Sequence, residues 1–211
     1  VADIPLPTKI RDYKSYDDVG VMEFILENDV RVLIKPTDFK NDEILFNAYS
    51  PGGHSLVEDP NFMSAKYASD IILESGVAGF SKIELDKYLS DKQVMVNPYI
   101  KEINEGFNGL SSVSDIETMF QLIYQYFHKP QIDKDAFNAL IQNWKGMIEN
   151  KNARPENVYR DSISVIMNSR HFRARPMSIE TINEIDLESS YEVYKNRFSD
   201  ASDFTFVFVG S

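Results

Sequence analysis

The chain has 211 residues, 43% hydrophobic and 26% charged, with a formal net charge of -11 and no cysteine. At this size about 70% of the unfolded chain's surface can be buried, so a self-standing core is expected. The acidity argues against nucleic acid, whose affinity rests on Lys and Arg at phosphates; the lack of cysteine excludes disulfides and thiolate metal sites; and no apolar run approaches the roughly 18 residues that span a bilayer.

Val1 to Asp18 is polar, carries Pro5 and Pro7, and reads as a linker or lead-in to a single α+β domain over 19–211. The opening residues are not a signal peptide, and both ends read as cut from something longer. Phe24–Leu26 and Val30–Ile34 flank Asn28-Asp29 as a hairpin. Glu43–Ser50 is a strand with Ile44, Phe46 and Ala48 on one face, closed by Pro51-Gly52-Gly53.

A helix is predicted from near Asn61, with Ala68, Ile71, Ile72 and Ser75 on one small or apolar face and Gly76 and Gly79 ending it. Ser81 and Glu84 make a capping box for a second helix. Val94–Ile103 and Phe107–Val113 read as paired strands. The next helix is expected to start at a Ser114–Glu117 capping box, with Ile116, Phe120, Ile123 and Phe127 inward. Asp133 caps a helix carrying Phe137, Leu140, Ile141, Trp144 and Ile148. Pro155 opens another with Val158, Ser162, Val165 and Ile166 inward. Ser178 and Asp186 start two more, the last lined by Leu187, Tyr191, Tyr194 and Phe198, and Phe204–Val209 closes as a strand. This order favours an α+β fold, an antiparallel or mixed sheet with helices mainly on one face.

Chemistry-bearing residues are sparse. His54 reads as a turn residue, His128 as a helix-end residue favoured by the dipole, and His171 as part of a surface loop. Arg170, Arg173 and Arg175 are the dense positive cluster, either a clamp for a carboxylate or a solvated turn. Gly52-Gly53 lacks the Lys-Ser/Thr of a phosphate loop. Asp70 and Glu74 stand at i, i+4, but no nucleophile or electrophile accompanies them for an independent hydrolase.

Tyr67, Asp70 and Ile71 share one helix face at the spacing where an inverted zinc peptidase carries His, Glu and His. Around them run N-D-V-R-V-L-I-K-P-T, S-P-G-G-H-S-L, A-S-D-I-I-L-E-S-G-V-A-G-F-S, E-L-D-K-Y-L-S-D-K-Q-V, G-F-N-G-L-S-S-V-S-D-I-E-T-M-F-Q-L-I-Y and P-Q-I-D-K-D-A-F. In that order they resemble a repeat of the peptidase family that includes pitrilysin, insulin-degrading enzyme and mitochondrial processing peptidase. The likeness is to a non-catalytic repeat from the C-terminal half of a bacterial member.

Setting the family's glycine after its metal helix on Gly76 puts Tyr67 at the first His, Asp70 at the general-base Glu and Ile71 at the second His. Glu149 falls near the distant Glu ligand. Zinc needs three protein donors and an open fourth position, so this chain is expected to hold no metal and no catalytic residue, with zinc in the catalytic domain of the parent. The resemblance implies a chamber wall and scaffold in a zinc metallopeptidase, in contact with peptide substrate. The alternative is a stand-alone non-catalytic subunit or interaction domain beside a separate active peptidase. Its implied partner is the catalytic half or that active subunit, with neither nucleic acid nor a membrane span. The bacterial likeness implies an exported, periplasmic parent; no substrate-binding residue is transferred.

Overall fold

The structure is a computed structural model, and residues 6–211 are described. Seven strands form one mixed sheet in the order β1-β2-β3-β7-β4-β6-β5. They are β1 (Ile10–Tyr16), β2 (Val21–Leu26), β3 (Arg31–Pro36), β4 (Ile44–Pro51), β5 (Val94–Ile100), β6 (Asn104–Ser111) and β7 (Thr205–Gly210). Neighbouring pairs are antiparallel except β3 with β7, which run parallel from Arg31↔Thr205 to Pro36↔Gly210. The helices are α1 (Phe62–Ser75), α2 (Lys82–Tyr88), α3 (Ile116–His128), α4 (Lys134–Asn152), α5 (Pro155–Met167), α6 (Ile179–Ile182) and α7 (Leu187–Arg197).

In β4, Ile44, Phe46, Ala48 and Ser50 are buried, whereas Leu45, Asn47, Tyr49 and Pro51 are exposed. That period of two marks a sheet with one covered face. The core beneath it is aromatic: Phe107 on β6 meets Phe198 at 4.9 Å and Phe127 at 5.1 Å. Tyr194 stacks on Phe198 at 4.3 Å. A second core joins Phe62, Met63 and Ile71 of α1 to Ile148, Ile182, Ile185 and Leu187.

Within 1–18, which the sequence reads as a linker or lead-in, Ile10–Tyr16 pairs along β2 as an edge strand. Six of its seven residues are exposed, so no buried face left a hydrophobic alternation to read. Val1–Pro5 lie outside the described residues. Two helix faces also differ from expectation. In α3 the buried residues are Met119, Leu122, Ile123 and Tyr126, while Phe120 is exposed. The helix starts after Asp115, and Ser114 bonds Ser112 in place of a capping box. In α5 no residue is buried.

Candidate functional site

Helix α1 packs on β5, α4 and α7. Its start is fixed by Ser64, whose hydroxyl accepts the Asp186 N–H at 2.9 Å and whose carbonyl accepts from Ser190 Oγ at 3.2 Å. Its end is fixed by Gln131. The Gln131 amide donates to the carbonyls of Ser75 and Phe80, both at 2.9 Å, and its oxygen accepts the Gly79 N–H at 2.8 Å. Gly76 sits at φ 84 and ψ -167, a region that only glycine occupies readily.

On this helix the three sequence-predicted positions have different surroundings. Tyr67 is half-buried, with its ring 5.0 Å from that of Trp144 on α4. Burial, with Asp70 adding to it, pushes the phenol above its ordinary range, so it stays protonated at neutral pH. Asp70 is exposed. The adjoining protein mass raises its carboxyl and the Glu74 charge raises it further. Ile71 is 0% exposed and packs into the second core. Tyr67 and Ile71 therefore pack on the same core, Ile71 inside it and Tyr67 at its edge, whereas Asp70 faces solvent.

Zinc does not fit this set. Ile71 has no donor atom, and its place is filled by core contacts. Tyr67 offers a protonated phenol, a poor ligand. Among the described residues no group of three or more His, Cys, Asp or Glu side chains converges on a point that would hold a metal ion. Glu149 is exposed on α4.

The other candidates are occupied with structural work. Arg173 Nε and Nη2 donate to Asp59 Oδ1 at 2.9 and 2.7 Å, and Nη1 and Nη2 donate to the carbonyls of His54 and Val57 at 3.1 and 2.6 Å. Its guanidinium also lies over the Phe62 ring. Arg175 makes a two-pronged pair with Glu184, both contacts 2.7 Å, and stacks on Phe172. Two of the three clustered arginines thus bind this chain's own loops. His54 meets Phe62 edge-on at 5.1 Å, and burial lowers its pKa, which favours the neutral ring. His128 stacks on Tyr124 and its Nδ1 donates to the Tyr124 carbonyl at 3.0 Å. His171 Nδ1 accepts the Arg173 N–H at 3.2 Å.

Sequence reasoning missed Glu105, a carboxylate 2% exposed at the start of β6. It accepts the Gly53 N–H beneath the Gly52-Gly53 turn. Burial raises its pKa; the Gly53 N–H and Arg197 oppose that, and Asp203 reinforces it. The only sequence signal is an acid beside Gly106 in an otherwise uncharged strand.

A raised folded-state value means that the folded form keeps its proton to higher pH than the unfolded form. This contribution to stability is present below the ordinary carboxylate range and lost as pH rises through the raised value. The Glu105→Gln variant, which keeps an acceptor for Gly53, is expected to lose that part of the pH dependence. Its melting temperature should gain on the parent sequence as pH rises from 4.5 toward neutrality, measured by scanning calorimetry at several pH values.

An apolar groove of about 520 Å³ runs between α3 and the β2–β3–β7 part of the sheet, walled by Leu26, Val32, Ile34, Phe120 and Phe208. It offers no titratable side chain. No described helix is long and apolar enough to cross a membrane.

Comparison with known proteins follows the same line. No family model matches the chain. It is 26% identical over 214 residues to a zinc protease PQQL-like protein of Arabidopsis thaliana, covering 100% of this chain and 20% of that one. The crystal structure of the periplasmic protease PqqL from Escherichia coli superposes with a TM-score of 0.80 at 18% identity, over 99% of this chain and 23% of that chain. A peptidase M16 inactive domain from Pseudomonas fluorescens superposes with a TM-score of 0.69 at 15% identity, over 90% of this chain and 46% of that one. The chain thus spans about a fifth of the length of the curated relative. Over its whole length it is similar to one stretch of that zinc protease, and it shares the fold of parts of the periplasmic protease PqqL and of the peptidase M16 inactive domain, in line with the resemblance seen in its sequence.

Proposed function

We propose that this chain is a non-catalytic domain of a larger zinc metallopeptidase, and that it forms part of the chamber wall and scaffold while another domain holds the metal. One observation carries the reading. In a chain that aligns end to end with a zinc protease, the position assigned to the second imidazole holds a fully buried isoleucine. The phenol at Tyr67 and the exposed carboxylate at Asp70 cannot replace the missing donors. The Pseudomonas neighbour, itself described as an inactive domain, supports the same role. The periplasmic Escherichia coli neighbour supports an exported parent. In this reading the partners are the catalytic part of the parent and the peptide it cleaves.

Calorimetric titration of the 211-residue chain with zinc, run beside a peptide-cleavage assay, tests this. Neither stoichiometric binding nor cleavage is expected. Tight one-to-one zinc uptake with cleavage would overturn the proposal.

A further inference from the structure

Among the described α-helices, only α5 buries no residue. It has 13 residues, none buried. A helix of that length is marginal in water unless a face is packed. What holds it is mostly polar: Lys151 pairs with Asp161, and Asn157 Nδ2 donates to the Lys151 carbonyl at 3.2 Å. It ends on Ser169 and Arg170, both at positive φ.

Yet the exposed side is strongly apolar. Tyr159, Ile163, Ile166 and Met167 recur at i, i+4, i+7 and i+8, which makes one stripe. They are 69%, 43%, 64% and 77% exposed. Contiguous apolar surface of this kind marks an interaction site.

The charge around it is opposite to that of the whole molecule. Once the internal pairs Lys151–Asp161, Arg173–Asp59 and Arg175–Glu184 are set aside, residues 145–175 keep Lys145, Arg154, Arg160 and Arg170 against Glu149 and Glu156, in a chain of net charge -11. Arg160 stands one helical turn from Tyr159's stripe partners and donates to the neutral Asn157 side chain at 3.2 Å. Arg170 and Arg154 are exposed and make no side-chain hydrogen bond or ion pair among the described residues. A like-charged second copy of α5 would bring these cations together, whereas an acidic surface would neutralise them.

The geometry points to α5 as a docking face for a neighbouring domain of the parent polypeptide, one that presents an acidic surface with an apolar ridge. This rests on the proposal that the chain is part of a larger peptidase; the matched zinc protease, about five times longer, supplies the remaining domains.

Hydrogen exchange measured by mass spectrometry on the full-length parent and on the 211-residue chain tests it. Amides of 155–167 are expected to exchange roughly tenfold or more slowly in the parent. Ile163→Glu with Ile166→Glu should return them to fast exchange in the parent, while the same pair leaves the melting temperature of the 211-residue chain unchanged. Arg160→Glu with Arg170→Glu should weaken the protection as well. Equal exchange in both contexts, or protection untouched by the Ile163/Ile166 pair, would overturn the assignment. So would self-association of the 211-residue chain through α5, seen by sedimentation. Zinc uptake by the isolated chain, by contrast, would undo the functional proposal and leave the docking result standing.

Discussion

Tyr67→His, Asp70→Glu and Ile71→His, introduced together, are expected to give a weakened domain that still takes up no zinc. The cost lies almost wholly at Ile71. Its side chain is fully buried against Phe62, Met63 and Ile148, and removing it from that core forfeits about 1.5–3 kcal/mol of apolar burial. An imidazole in the same place brings a polar group without a partner, at about 1–3 kcal/mol more. The sum, roughly 2.5–6 kcal/mol, is a large share of the 5–15 kcal/mol that usually holds a domain together. Tyr67→His alone should cost far less, because that side chain lies half-buried against Trp144. Urea denaturation gives the stabilities, and calorimetry reads the metal. A triple variant that keeps its unfolding midpoint and binds one zinc would show that the three positions still frame a metal site.

Gly76→Ala is expected to be the most damaging methyl addition in the loop that follows α1. A Cβ there would lie 2.0 Å from the Phe80 carbonyl oxygen and 2.8 Å from the Ser81 carbonyl carbon, both backbone atoms. The φ of 84 with ψ of -167 adds strain of about 1–3 kcal/mol. Relief requires the Val77–Phe80 turn to open, and with it the three hydrogen bonds that Gln131 makes across that loop. A total above about 4 kcal/mol places this among the rare, severe substitutions. Gly79→Ala provides the control. It has a similar φ of 87 but nothing within 4 Å of the added carbon, so only the backbone strain remains. Equal losses for the two variants, measured as shifts in urea midpoint, would remove the steric part of the explanation.

Much of the fold was legible because its elements announce themselves locally. The β4 alternation of Ile44, Phe46 and Ala48 is a period-two pattern with one buried face. Ser81, Asp133, Ser178 and Asp186 cap their helices as their side chains predict. The turn at Asp29 takes the positive φ that Asn28-Asp29 suggested. What failed to show had no local signature. The edge strand β1 is exposed on both faces, so its sequence resembles a linker. The apolar residues of α5 read as inward because periodicity shows that a face is apolar and says nothing of what covers it. At the candidate site, the missing imidazoles were plain from residue types. The burial of Ile71, the stacking of Tyr67 on Trp144 and the internal use of Arg173 and Arg175 depend on contacts between distant segments. Glu105 was invisible for the same reason, since its partner Gly53 lies 52 residues away.

The place of β7 has a consequence for how the chain assembles. It is inserted between β3 and β4, and among the described residues no other strand joins the β1–β2–β3 ribbon to the β4–β6–β5 half. Its pairing of Thr205 with Arg31 closes a very long loop. Until that strand has left the ribosome, two separate ribbons each present a bare edge, and closing distant segments is slow by nature. Bare edges of this sort invite pairing with other chains. The hazard during biosynthesis is therefore concentrated in the interval before Thr205–Gly210 emerges, and it ends with a single stroke of strand insertion.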